Sequence, residues 1–330
     1  MAAILEVNNL VTKFYTIDGI VNAVNGISFS LEDGETLAIV GESGSGKSVA
    51  MMSILGLTPS PPARVESGQA LFRGTRGTVD LLHQNFEELS EIRGGQVGFV
   101  FQDPGTSLNP ILTIGRQISE SLIRHLVITP KEARLRTLDL LAEVGIPDPK
   151  LRFGAFPFQL SGGMRQRAMI AIAVACKPRV VIADEPTTAL DVTIQAQIVS
   201  LFKQLRAKMG VATIWISHDL GLVAGLADRV MVMYAGQIIE TAPVDDLYDH
   251  PQHPYTIGLL GALPRLNTHE TRRLVSIEGT PPDPMIPINH CPFAWRCTLA
   301  FEHCWEENPV LAEVEERHKV ACFHVFERGG

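Results

Sequence analysis

Gly41-Glu42-Ser43-Gly44-Ser45-Gly46-Lys47-Ser48 places three glycines, a lysine and a hydroxyl in the pattern G-x-x-x-x-G-K-S, directly after the apolar run Leu37-Ala38-Ile39-Val40. Glycines let a backbone wrap an anion with successive N–H groups turned inward, and a helix opening at the lysine adds the positive end of its dipole. Lys47 would reach the outer phosphates of a nucleotide, and the Ser48 hydroxyl would bind Mg²⁺. A dinucleotide fingerprint is excluded, because Gly44-x-Gly46 would need a third glycine where Val49 stands. A second centre lies at Val180-Val181-Ile182-Ala183-Asp184-Glu185, where four apolar residues end in two acids. Two carboxylates at a strand's C-terminal edge sit where α/β sheets bind ligands. Asp184 fits the Mg²⁺-associated acid of a P-loop nucleotidase, and Glu185 is placed to polarise a water against the γ-phosphate. Leu160-Ser161-Gly162-Gly163 opens a further helix and forms a second phosphate-seeking helix start.

The cysteines pose a separate question. Cys291, Cys297, Cys304 and Cys322 crowd near the C-terminus, and Cys176 stands alone. Four thiols in a cytosolic chain point to a metal site before a disulfide network. Their gaps of five and six residues are longer than the C-x₂₋₄-C knuckles of mononuclear zinc and suit the separate corners of a larger cluster. The spacing is not one of the common ferredoxin runs, so zinc and free thiols stay open. His290, His303, His318 and His324 read as surface or core residues, and Cys176 as a small buried hydrophobe.

These groups need elements to position them. The length, 330 residues, allows two domains or one large domain with an appendage. Apolar residues make up 45% and charged ones 19%, which excludes wholesale disorder. β-Branched runs predict strands at Thr36 to Val40, Val97 to Phe101, Val180 to Ala183, Ala212 to Ser217 and Val230 to Tyr234. Longer periodic patterns predict helices at Lys47 to Leu57, Gly162 to Cys176 and Val192 to Met209. Strands alternating with helices, several of them apolar throughout, predict an α/β fold with a mostly parallel sheet covered on both faces. Residues from about 103 to 160 read as a helical insertion. Past Leu263 proline density rises (Pro264, Pro281, Pro282, Pro284, Pro287), which marks a linker and an appended module. The longest apolar stretch, Ala168 to Cys176, is too short to cross a bilayer. The start, Met1 to Glu6, has no basic n-region or secretory core, so a cytosolic location is expected. A net charge of −8 leaves no basic field for nucleic acid, and residues 264–330 carry seven Lys/Arg against ten Asp/Glu.

The L-S-G-G run closely resembles the signature of ABC transporter ATP-binding subunits, and other motifs fall in order around it. Gln102 resembles the family's Q-loop glutamine, Ala189-Leu190-Asp191 its D-loop, and Ser217-His218-Asp219 its switch histidine. Phe14 stands for the adenine-stacking aromatic. The resemblance covers residues 4 to about 263. It implies a P-loop nucleotidase core with an antiparallel β subdomain, over residues 1–263, and a C-terminal extension over 264–330. It also implies an ATP-sandwich dimer in which Phe14 and Gly41 to Val49 bind ATP in one subunit. Ser161, Gly162, Gly163 and Asp191 would complete that site in trans. Glu185 would then be the catalytic base and His218 the γ-phosphate contact. Gln102 would join Ser48 and Asp184 around Mg²⁺.

Gln102-Asp103-Pro104-x-x-Ser107-Leu108-Asn109-Pro110, Met164-Arg165-Gln166-Arg167 and His253-Pro254-Tyr255-Thr256 are similar to the oligopeptide/dipeptide importer group, which includes nickel transporters. The cysteine run resembles the C-terminal module of its dipeptide-type D subunits, which in some members holds a [4Fe–4S] cluster. The resemblance implies a peptide importer ATPase, peripheral on the cytoplasmic face of the membrane. Its implied partners are a second, F-type ATPase subunit, two permease subunits and, indirectly, an extracytoplasmic binding protein. Nickel or another small solute is the alternative cargo, and a soluble non-transport ABC ATPase is the alternative class.

Overall fold

The computed structural model describes residues 3–263 and 277–328. The first part of the expected linker, Pro264 included, lies outside the described residues. In chain order the strands are β1 (Ala3–Tyr15), β2 (Ile20–Glu32), β3 (Thr36–Val40), β4 (Ala63–Gly74), β5 (Gly77–Asp80) and β6 (Val97–Val100). After a helical stretch come β7 (Val180–Asp184), β8 (Ala212–Ser217), β9 (Arg229–Tyr234), β10 (Gln237–Pro243), β11 (Ala312–Glu315) and β12 (His318–Val320). The chain forms two compact units, neither continuous in sequence. One takes in Leu31–Thr36 and Leu71–Ile216, with the start of β1. The other takes in Glu6–Ser30, Leu37–Ala70 and the described residues from Ser217 on.

In the first unit β6, β7 and β8 run parallel, with Val97 opposite Val180 and Val180 opposite Ala212. β7 is buried along its whole length, as is β8, because helices cover both faces and leave no polar-out alternation. The helix Gly162–Val174 buries Ala168, Ile170 and Ala171, and the helix Val192–Met209 buries Ile198, Leu201, Phe202 and Leu205. Phe202 meets Trp215 of β8 edge-on at 5.0 Å between ring centroids. The expected helical insertion is present as Pro104–Ser107, Ile114–Leu126, Pro130–Glu143 and Pro149–Phe153. Thr113 and Thr129 cap two of these helices by accepting from the third backbone N–H. The far end of β4 pairs antiparallel with β5.

In the second unit β3 runs parallel to β9, and β10 follows antiparallel. The C-terminal residues continue this arrangement. β12 pairs with β10 through Glu240↔Val320 and Thr241↔Lys319, and β11 pairs with β12. The unit also holds β2, β1 and the first part of β4 in that order.

The phosphate loop joins β3 to the helix Lys47–Ile54. Gly41 adopts φ 151° and Gly46 φ 95°. A Cβ at Gly41 would collide with the Met233 carbonyl oxygen, and one at Gly46 with that of Ala23, so only glycine lets the loop lie this close to its neighbours.

Candidate functional site

The phosphate loop is organised around its own lysine. Lys47 is buried, and its Nζ donates to the carbonyl oxygens of Gly41 and Glu42, both at 2.8 Å, and to Ser45 Oγ at 3.3 Å. Ser48 and Val49 follow in the first helical turn, half-buried. Phe14, also half-buried, lies near the end of β1. Beside it Tyr15 is exposed, with its hydroxyl donating to Glu66 at 2.8 Å. His218 follows β8 and is exposed, and Ser217 Oγ accepts from the Asp219 N–H at 2.9 Å.

C-terminal residues close on this loop. A cavity of about 360 Å³ has Glu42, Ser43, Gly44 and Ser45 on one side and Pro281 and Pro284 on the other. Both the backbone N–H and the side-chain Nδ2 of Asn22 donate to the Pro284 carbonyl oxygen, at 2.8 and 3.0 Å. Tyr255, fully buried, accepts the Glu42 N–H on its hydroxyl at 2.8 Å. Arg296 grips the Glu42 carboxylate with both terminal nitrogens, at 2.7 and 2.9 Å. Neither Tyr255 nor Arg296 stands out as a site residue in the sequence. Tyr255 belongs to a run noticed only as a family mark, and Arg296 sits 254 residues from its partner.

The four C-terminal cysteines carry free thiols. Cys291, Cys304 and Cys322 are buried, and Cys297 is half-buried. The Cys291 N–H donates to the Cys304 carbonyl oxygen at 3.1 Å. Burial pushes the Cys291 thiol up to about 12, and the charges of Cys304, Cys322 and Cys297 push the same way. Burial likewise raises Cys297 and Cys322, each further raised by Cys304. Mutual influence of this kind means that the four sulfurs share one neighbourhood. Among the described residues no group of three or more His, Cys, Asp or Glu is arranged so that it could hold a metal ion. Two of the nearby histidines have carboxylate partners. His318 is buried against Glu240 at 2.8 Å, and His303 bonds Glu327 at 2.6 Å. Cys176 is buried, with its thiol against the Ser121 carbonyl oxygen.

The other unit carries the acid edge. Asp184, buried, ends β7, and Glu185 follows at φ 45°, a left-handed conformation that a non-glycine residue rarely adopts. Hydrogen bonds from both its backbone and its side chain hold it there. Its N–H donates to the Ile216 carbonyl oxygen at 3.0 Å, and its Oε2 accepts from Gln102 Nε2 at 3.0 Å and Thr188 Oγ1 at 2.8 Å. Two residues singled out by sequence, Gln102 and Glu185, thus touch, and Thr188 joins them unannounced. Gln102 lies just beyond β6, which ends at Val100 rather than at the expected Phe101, because the chain turns there toward the Asp103-capped helix. Ser161 caps the helix Gly162–Val174 by accepting from the Met164 N–H, and a Cβ added at Gly162 would meet nothing within 4 Å. Asp191 caps the helix Val192–Met209 by accepting from Ile194. No described helix is long and apolar enough to cross a membrane.

A family model described as "ABC transporter" matches residues 24–188, which contain the phosphate loop, Gln102, Ser161 to Gly163 and both acids. The chain belongs to the ABC transporter family. A second match, "Oligopeptide/dipeptide transporter, C-terminal region", spans residues 239–304 of this ABC cassette. The cassette is 50% identical to the dipeptide transport ATP-binding protein DppD of Bacillus subtilis (strain 168), over 98% of this chain and 95% of that one. It is 49% identical to the oligopeptide transport ATP-binding protein OppD of the same organism, over 96% of this chain and 87% of that one. Among solved structures it is similar to a dimeric post-hydrolysis state of the ATP-binding cassette MJ0796 bound to ADP and phosphate. That likeness has a TM-score of 0.65 at 27% identity, covering 73% of this chain and 98% of the other. This is the ABC ATPase fold, and the chain is an ATP-binding subunit of the oligopeptide/dipeptide group, an ATPase coupled to transport.

Proposed function

We propose that this chain drives the uptake of di- or oligopeptides as one half of an ATP-sandwich dimer, peripheral on the cytoplasmic face of the membrane and docked on two permease subunits. The observation that carries this reading is the 49–50% identity, over nearly the whole chain, with ATP-binding proteins of oligopeptide and dipeptide transport. The partner half is a related F-type ATPase, and an extracytoplasmic binding protein delivers cargo to the permeases. Residues 1–263 form the ATPase and 264–330 an extension.

In this proposal Gly41 to Val49 cradle the phosphates and Phe14 stacks on the base. Ser161, Gly162, Gly163 and Asp191 reach the partner's nucleotide. Glu185 takes a proton from the attacking water, Gln102 holds Glu185 in place, and His218 contacts the γ-phosphate. Ser48, Gln102 and Asp184 are hard oxygen donors that fit Mg²⁺, which when bound neutralises charge on the outer phosphates. Because the trans half grips the γ-phosphate, ATP favours the closed dimer and hydrolysis releases it. Cys291, Cys297, Cys304 and Cys322 would hold a [4Fe–4S] cluster, with zinc as the alternative. When bound, a cluster takes all four sulfurs as thiolates and ties the loop from 291 to 304 to Cys322.

The test is purification of the tagged chain from native membranes, followed by ATPase assays in liposomes. Two permeases and a second ATPase should accompany it, and peptide-loaded binding protein should stimulate hydrolysis. Stimulation by nickel and not by peptides would replace the substrate class. A chain that never associates with permeases would overturn the transport reading.

A further inference from the structure

Glu42 occupies a position that the phosphate-loop pattern leaves open, yet it is held at both ends by residues more than 200 positions away. Its N–H is taken by the Tyr255 hydroxyl, and its two carboxylate oxygens by Arg296. The Arg296 side chain is only 4% exposed, and every guanidinium nitrogen is engaged. Nε donates to the Glu278 carbonyl oxygen at 2.9 Å, Nη1 also reaches Tyr234 Oη at 3.3 Å, and Nη2 reaches the Ile277 carbonyl oxygen at 3.4 Å. The rings of Tyr234 and Phe293 flank it at 5.8 and 5.9 Å. Arg296 itself stands in the short turn between Cys291 and Cys297, wound by Ala294 N–H to Cys291 and Cys297 N–H to Ala294.

This arrangement acts on charge as well as shape. A phosphate loop serves a polyanion, and an unpaired carboxylate on its second residue would repel that polyanion at short range. A bidentate guanidinium cancels the charge and fixes its direction, and the planar fork is a geometry that lysine cannot reproduce. The same grip steadies the Glu42 carbonyl, which receives Lys47 Nζ.

We propose that Arg296 is a positioning residue for the nucleotide site: it neutralises and fixes Glu42, so that the C-terminal extension sets the ATP affinity of the phosphate loop. The proposal rests on the reading of Gly41 to Ser48 as the ATP cradle.

The test is titration of the full-length chain with a fluorescent ATP analogue and Mg²⁺, together with steady-state ATPase kinetics. Arg296→Ala should weaken binding about tenfold, a change of one decade in Kd, and should raise KM far more than it lowers kcat. Arg296→Lys should fall between the two. Adding Glu42→Gln to Arg296→Ala should restore most of the affinity, because the repelling carboxylate is gone. A purely structural arginine would instead lower thermal stability without rescue by Glu42→Gln. Unchanged affinity in Arg296→Ala, or a loss that Glu42→Gln does not repair, overturns the proposal. Should Arg296→Ala not fold, Arg296→Lys with and without Glu42→Gln carries the same comparison. Lys47→Ala is the control for the underlying reading. Normal ATP binding in that variant would sink the cradle assignment, whereas normal binding in Arg296→Ala alone would sink only the role of Arg296.

Discussion

Glu185 holds an uncommon backbone conformation that costs roughly 1–3 kcal/mol, and its bonds to Gln102, Thr188 and Ile216 offset that cost. Strain kept at a carboxylate beside a strand edge supports the proposed role of Glu185 as the base. Glu185→Gln preserves the shape and removes the basicity, so it should bind ATP and lose about 10²–10⁴-fold in turnover. Phosphate release and trapping of the dimer by ATP would check this, and unimpaired turnover would reject the assigned base. His253 gives a second test at this scale. Its Nδ1 accepts the Tyr255 N–H at 3.0 Å, and burial lowers its pKa to about 4 although Glu240 pulls upward. Between an unfolded pKa near 6.5 and the folded value, only the unfolded chain gains the proton. Stability from this group is therefore complete above about pH 6.5 and falls as pH drops toward 4, by up to about 3 kcal/mol. Urea midpoints at pH 7.5 and 5 should show the slope. His253→Asn, which keeps an N-cap acceptor, should flatten it.

At the scale of elements, β6 lies so close to the helix Gly162–Val174 that a Cβ at Gly98 would strike the Ala173 carbonyl oxygen. Gly98→Ala should cost about 1–3 kcal/mol by overpacking and should slow hydrolysis, since β6 delivers Gln102. Thermal melts with parallel ATPase assays would measure both, and an unshifted melt would show that the strand and helix can part freely. The cysteine segment makes its own prediction: anaerobically purified protein should be brown, with about four irons per chain by metal analysis. A colourless, zinc-loaded preparation would overturn the cluster. The strands legible in the sequence are the doubly covered ones, Thr36–Val40 and Ala212–Ser217, where burial on both faces leaves a continuous apolar run. β1 and β2 escaped the same reading. Each has only partly buried faces, and Asn8, Asn9, Asn22 and Asn25 put turn-favouring residues inside them. The site divides along the same line. Motif residues contiguous in sequence, such as Gly41 to Ser48, were legible, whereas Thr188, Tyr255 and Arg296 act through contacts made only by folding.

For the whole molecule, the unit boundaries fall inside β1, β2, β3, β4 and β8, so no composition shift could reveal them. Neither unit can be excised as one continuous piece of chain. The last strands add a further constraint. β12 covers the outer side of β10, and His318 is one of the donors to the fully buried Glu240, whose carboxylate also accepts the Gln252 and His253 N–H groups. A chain cut before β11 would present the backbone of β10 as an open edge, a template for pairing with other molecules. It would also leave Glu240 with one donor fewer. Such a truncation is an aggregation hazard before it is a loss of cysteines, and point substitutions are the cleaner means of asking what the tail does.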